Sequence, residues 1–145
     1  MRGLASQLFH TVAGRYGQVV LRFRSLLVVA THLALIVAAH LTAFLLRFEG
    51  NIQPPFDAIM WRYLPAVLLI YWGGLWLFGI QRGLWRYVGL HDIGRIFWAT
   101  LTGSVVFFVI VHIGLGWSEY PRSIIILTGL LSGFYIAGIR LAVRW

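Results

Sequence analysis

The stretch SLLVVATHLALIVAAHLTAFLL, Ser25–Leu46, contains no Asp, Glu, Lys or Arg. A helix rising about 1.5 Å per residue needs roughly 20 residues to cross a ~30 Å hydrocarbon layer, and this stretch has that length. Three more charge-free stretches follow at Tyr63–Gln81, Ile96–Ser118 and Ser123–Ile139. Lipid offers no water to an unpaired backbone N–H or C=O, so segments of this kind cross it as helices. The expected fold is all-α, an integral membrane four-helix bundle with spans about 25–47, 62–81, 94–116 and 122–143. A basic N-terminal segment, 1–24, precedes the four-helix domain 25–145, and an interfacial loop, 82–93, joins the second span to the third.

Composition points the same way. Hydrophobic residues make up 60% of the chain and charged ones 11%, and the mean hydropathy is +0.83, far from the balance of a water-soluble domain of this size. A net charge of +8 would suit nucleic acid only as a contiguous patch on a soluble fold. Here the basic residues punctuate apolar runs, so nucleic acid is not an expected partner and the lipid bilayer is. All 12 of them are Arg. Without Lys the chain has no amine for a Schiff base, a phosphate-loop lysine or a Tyr–Lys dyad, and without Cys it has no thiolate nucleophile or thiolate metal site.

Positive charge near span ends favours the cytoplasmic side. Arg2, Arg15, Arg22, Arg24, Arg82, Arg86, Arg95, Arg140 and Arg144 fall on one side of the spans, whereas Arg47, Arg62 and Arg122 share the other with Glu49, Asp57 and Glu119. Both termini are therefore expected in the cytoplasm. The first apolar run exceeds the usual 7–15-residue core of a signal peptide and reads as an uncleaved helix. Pro54-Pro55 marks a loop, Pro65 and Pro121 suit helix starts, and Asp92 stands where a carboxylate caps the third helix. Trp61, Tyr63, Trp85, Tyr87, Trp117, Tyr120 and Trp145 lie near span ends, as an interfacial aromatic belt would.

Three groups of residues are candidates for function. Ala30, Ala34, Ala38 and Thr42 on the first span, and Gly129, Gly133 and Ala137 on the fourth, form four-residue ladders of small side chains. Such ladders let helix backbones approach, either within the bundle or in a homo-oligomer. His40 and His112 stand at similar depths on the first and third spans, where paired imidazoles would hold a haem, against the ordinary reading of neutral structural histidines; His32 has no such opposite number. Finally, Arg82, Trp85, Arg86 and Tyr87 gather cations and amphipathic rings directly after a span, suited to anionic headgroups or a lipid-linked phosphate, or simply to anchoring the topology. Arg47 and Arg122 read as snorkelling side chains.

Several of these strings occur together in a recognisable order. Leu45-Leu46-Arg47-Phe48-Glu49-Gly50 closes the first span, and the second leaves through Phe78-Gly79-Ile80-Gln81-Arg82-Gly83-Leu84-Trp85-Arg86-Tyr87 and Leu90-His91-Asp92-Ile93. The fourth begins at Pro121-Arg122-Ser123-Ile124. From about Leu26 to Arg144 the chain resembles the N-terminal four-helix membrane domain of the nucleoside-diphosphate-sugar epimerase/dehydratase family of bacterial polysaccharide biosynthesis. The resemblance implies a bacterial inner-membrane anchor beside glycan-assembly enzymes, with an NAD(P)-binding Rossmann domain beyond Trp145. No catalytic, cofactor-binding or metal residue is carried over. The nearest dinucleotide-like string, Gly114-Leu115-Gly116-Trp117-Ser118-Glu119, lacks the third glycine. Two other functions compete: a complete four-helix flippase-type carrier of polyprenyl-linked sugars, with Arg82 and Arg86 as its phosphate clamp, and a bis-histidine haem redox protein.

Overall fold

A computed structural model describes residues 2–80, 89–116 and 119–144, with side chains described over 25–80, 91–116 and 119–143. The described residues are helical, without strands. In order they form α1 (Arg2–Arg47), α2 (Phe56–Leu77), α3 (Leu90–Phe108), which runs on as a π-helical turn over Val109–Gly114, and α4 (Arg122–Arg144). Four segments are long and apolar enough to cross a membrane: Ser25–Arg47, Phe56–Leu77, His91–Gly114 and Arg122–Val143. The chain divides into two compact units, Met1–Thr31 and His32–Trp145. The first is the N-terminal part of α1; the second holds the rest of α1 and the other helices.

Besides α1, which extends back to Arg2, two helices begin earlier than charge-free lengths suggest, and in both the charges that shorten the reading are accommodated locally. Instead of starting near residue 62, α2 starts at Phe56 behind Pro55, with Asp57 in its first turn, where the helix dipole favours an acid. Pro65 consequently lies inside α2 rather than near its start, a position that membrane helices tolerate. Similarly, α3 starts at Leu90 because Asp92 and Arg95 are ion-paired. Asp92 is no side-chain cap: Gly89 occupies that position without a side-chain hydrogen bond. Left-handed glycines end α1 and α2: Gly50 (φ +81°), whose N–H bonds to the Leu45 carbonyl, and Gly79 (φ +66°), whose N–H bonds to that of Trp76.

Each helix of the second unit buries one stripe at three- and four-residue spacing. On α1 it is His32, Ile36, Ala39, His40, Ala43 and Phe44; on α2, Met60, Tyr63, Val67, Tyr71 and Leu75; on α3, Ile96, Ala99, Thr100 and Phe107; on α4, Ile125, Thr128, Ser132, Ile136 and Arg140. The aromatic-belt reading fails at two positions. Tyr63 and Tyr120 are buried and packed edge-on to each other (centroids 5.1 Å apart), with Phe107 and Phe44 against Tyr120 at 5.4 and 6.1 Å. The earlier start of α2 explains Tyr63, which falls on the inward stripe between Met60 and Val67. Trp61 alone among the described belt residues points outward; Trp85, Tyr87, Trp117 and Trp145 lie outside the described side chains.

The helices meet where side chains are smallest. A Cβ on Gly74 of α2 would stand 2.9 Å from the Ala99 carbonyl oxygen, and one on Gly103 of α3 would stand 3.2 Å from the Tyr71 ring. On the other side of α3, a Cβ on Gly129 would collide with the Ser104 hydroxyl, and one on Gly133 would press on Thr100 Oγ1 at 3.1 Å. Lipid does not drive helices together as water does, so this closeness and its dispersion contacts supply much of the cohesion. Gly129→Ala is expected to destabilise the folded protein by about 1–3 kcal/mol, the range for overpacking. Gly73→Ala, where a Cβ meets nothing within 4 Å, is expected to be near neutral. Unfolding of the two variants in mixed micelles checks the difference.

Candidate functional site

The inward stripe of α4 ends in a charge. Arg140 is only 1% exposed; its Nη1 donates to Asp92 Oδ2 at 2.7 Å and its Nη2 to the Ile80 carbonyl. Arg95, three residues beyond Asp92, donates to the Phe78 carbonyl and lies 3.9 Å from the Asp92 carboxylate. Phe78 and Ile80 follow the last turn of α2, where carbonyls lack intrahelical donors. The two arginines supply those donors, and their charge suits a helix C-terminus. One cluster therefore ties the end of α2, the start of α3 and the end of α4. His32 of α1 is fully buried within electrostatic reach of Arg140.

A second polar group lies deeper, around the glycine contacts. The Tyr71 hydroxyl is 2.8 Å from Ser104 Oγ and 3.3 Å from the Ile125 carbonyl, while Ser104 Oγ is 3.0 Å from the Thr100 carbonyl. Two hydroxyl hydrogens are shared over three contacts joining α2, α3 and α4. Thr100 Oγ1 donates back to the Ile96 and Phe97 carbonyls at 3.1 Å each. At the opposite end of the bundle from Arg140, burial among rings pushes the Tyr120 phenol well above its ordinary pKa, with Tyr71 and Tyr63 adding to the shift. Tyr120 therefore remains a neutral hydroxyl.

The candidates from sequence are distributed differently from one another. Ala30, Ala34 and Ala38 are exposed, on the face of α1 opposite its histidine stripe; Thr42 is half-buried, donates to the Ala38 carbonyl at 2.7 Å and accepts from the Tyr135 hydroxyl at 3.3 Å. Gly129 and Gly133 lie against Ser104 and Thr100 of α3, and Ala137 lines a groove between α3 and α4. His40 Nε2 donates to the Met60 carbonyl at 3.2 Å, and His112 stacks on Phe108 with centroids 4.6 Å apart. A ring nitrogen that gives its proton to a carbonyl offers no lone pair to a metal, so His40 uses Nε2 to join α1 to α2. Among the described residues, no three His, Cys, Asp or Glu side chains converge on a point. Arg82, Trp85, Arg86 and Tyr87 lie outside the described residues.

Sequence reasoning counted Arg140 among the topology-setting arginines and missed its role. Two signals pointed to it: Arg140 continues the four-residue series Thr128, Ser132, Ile136, and Asp92 is the one acid on the arginine-rich side. No protein-family model matches the chain, and no curated protein or solved structure matches it.

Chemically, the cluster is a helix clamp whose charges are spent on protein partners. Leaving one charge of a buried pair behind costs about 3–5 kcal/mol, whereas replacing both with apolar groups is often neutral. Asp92→Leu is therefore expected to destabilise strongly, and Asp92→Leu with Arg140→Met to regain most of the loss. The measurement is a double-mutant cycle on unfolding in mixed micelles.

Proposed function

We propose that this chain is the membrane anchor and assembly domain of a nucleotide-sugar 4,6-dehydratase or epimerase of bacterial polysaccharide biosynthesis. In this reading it sits in the bacterial inner membrane with both termini in the cytoplasm. The catalytic Rossmann domain, with its NAD(P), lies beyond Trp145. The anchor holds that domain beside the membrane enzymes that transfer its product to a lipid carrier.

The observation that carries the reading is the clamp. Phe78, Ile80 and Asp92 belong to the strings by which the chain resembles that family, and each accepts a hydrogen bond from Arg95 or Arg140. These residues hold three helices in fixed register at the arginine-rich end, the work an anchor requires. A nucleotide-sugar site would need free donors there, and those the two guanidiniums direct at Phe78, Ile80 and Asp92 are already engaged.

Detection of an epitope near Met1 in membranes of the source cell tests the proposal. A product far larger than the 16.5 kDa of this chain is expected. Removing residues 1–145 from it is expected to release the remainder from the membrane and lower glycan output. A native product of 16.5 kDa, or full membrane association and glycan output after the deletion, would overturn the anchor reading.

A further inference from the structure

The glycine contacts that join α2 to α3 and α3 to α4 have no counterpart on α1, whose span Ser25–Arg47 contains no glycine. Polar side chains join it instead: His40 Nε2 reaches the Met60 carbonyl of α2, and Thr42 Oγ1 accepts from the Tyr135 hydroxyl of α4. Two further hydroxyls stand on this side of α4. At about 100° per residue, Thr128 lies roughly 20° and Ser132 roughly 60° around the helix from Tyr135. Both are buried on the inward stripe, at 2% and 0% exposure.

A Ser or Thr hydroxyl within a helix commonly settles on the backbone of its own preceding turn. Those of Thr31, Thr42, Thr100 and Ser104 do so, each bonding the carbonyl four residues back at 2.8, 2.7, 3.1 and 3.0 Å. The hydroxyls of Thr128 and Ser132 reach no partner among the described residues. Nor does His40 Nδ1, which is a lone-pair acceptor once Nε2 carries the proton. A buried polar atom left in this condition costs free energy that a bridging hydrogen bond recovers.

Depth brings the three groups into one layer. Counted inward from Arg47 and Arg122, where α1 and α4 meet the same boundary, Ala43, His40 and Ala39 lie about 6, 10 and 12 Å in, and Thr128 and Ser132 about 9 and 15 Å. Ala39 and Ala43 are the smallest side chains of the α1 stripe, so the layer is the least filled by α1. Side chains four apart on a helix stand about 5–6 Å apart at Cβ, and two hydrogen bonds of ~2.8 Å reach about as far. One water can accept from both hydroxyls and donate to His40 Nδ1, about the three bonds usual for a buried water. A cation fits poorly: the inward stripes hold no carboxylate at this depth, and Arg140 stands on the α4 stripe about 12 Å from Ser132.

We infer that the interior layer of Thr128, Ser132 and His40 is a water-binding site, holding one or two molecules that complete the joint between α1 and α4. The inference requires only that the helices span a bilayer and stands apart from the identity of any attached enzyme.

The test is proton-detected solid-state NMR of the full chain in lipid bilayers, following magnetisation transferred from water to individual residues. Expected is transfer to Thr128, Ser132 and His40 several-fold above that to Ile125 and Ile136, buried on the same α4 stripe. Thr128→Val keeps the shape and removes the hydroxyl, and should lower transfer at Ser132 and His40 several-fold. Thr128→Ser keeps the hydroxyl and should retain it. Unshifted Tyr71 and Ser104 signals report an intact fold in both variants. Wild-type transfer no greater at Thr128 and Ser132 than at Ile125 and Ile136 would overturn the inference, the result expected if both hydroxyls turn back onto the carbonyls of Ile124 and Thr128. So would transfer at Ser132 that Thr128→Val leaves unchanged. The wild-type comparison decides even where Thr128→Val fails to fold.

Discussion

Backbone closeness at glycine is the constraint on which the structure depends. In hydrocarbon an apolar side chain gains nothing by leaving lipid for protein, so a bundle coheres through fit. Gly74 and Gly103 bring α2 and α3 together, and Gly129 and Gly133 do the same for α3 and α4. This makes α3 the shared partner of both neighbours. The polar contacts follow from that closeness: Tyr71 reaches Ser104 and the Ile125 carbonyl because nothing larger than hydrogen stands on Gly103 and Gly129.

The Arg140 clamp belongs to a different energy scale. A guanidinium enclosed in a membrane domain is tolerable only when opposed and hydrogen-bonded, and Asp92 with the Ile80 carbonyl meets both conditions. Such a pair adds little net stability over an apolar replacement. It does penalise every arrangement in which the ends of α2, α3 and α4 fail to meet. The glycine contacts and the clamp thus divide the work: one provides adhesion, the other register.

Much of this could be read from the sequence. Charge-free runs of membrane length marked the four helices, and Gly129 and Gly133 of the small-residue ladder lie against Ser104 and Thr100. Three features escaped for a common reason. Acidic residues were left outside the spans, yet Asp57 and Asp92 lie inside helices because a dipole or an ion pair accommodates them. The same assumption assigned Arg140 to the membrane surface. Tyr63 and Tyr120 escaped because proximity to a span end does not say which way a ring faces; Tyr63 shares the inward stripe of Val67 and Tyr71, and Tyr120 turns onto Tyr63 and Phe107. The alanine ladder of α1 was legible as a pattern but not as a direction, and its alanines face outward. For Arg82, Trp85, Arg86 and Tyr87 the sequence remains the whole account.

The π-helical turn at Val109–Gly114 changes how α3 accommodates variation in length. Its Leu115 N–H reaches back five residues to the Ile110 carbonyl at 2.9 Å, so the turn holds one residue more than an α-helical turn of the same pitch. Residues before Val109 keep their phase against Gly74 and Gly129 whatever is added beyond it. The π-helical turn thus sets the Val109 end of α3 apart from the half packed on Gly74 and Gly129, and the extra residue it holds leaves the register of that half unchanged.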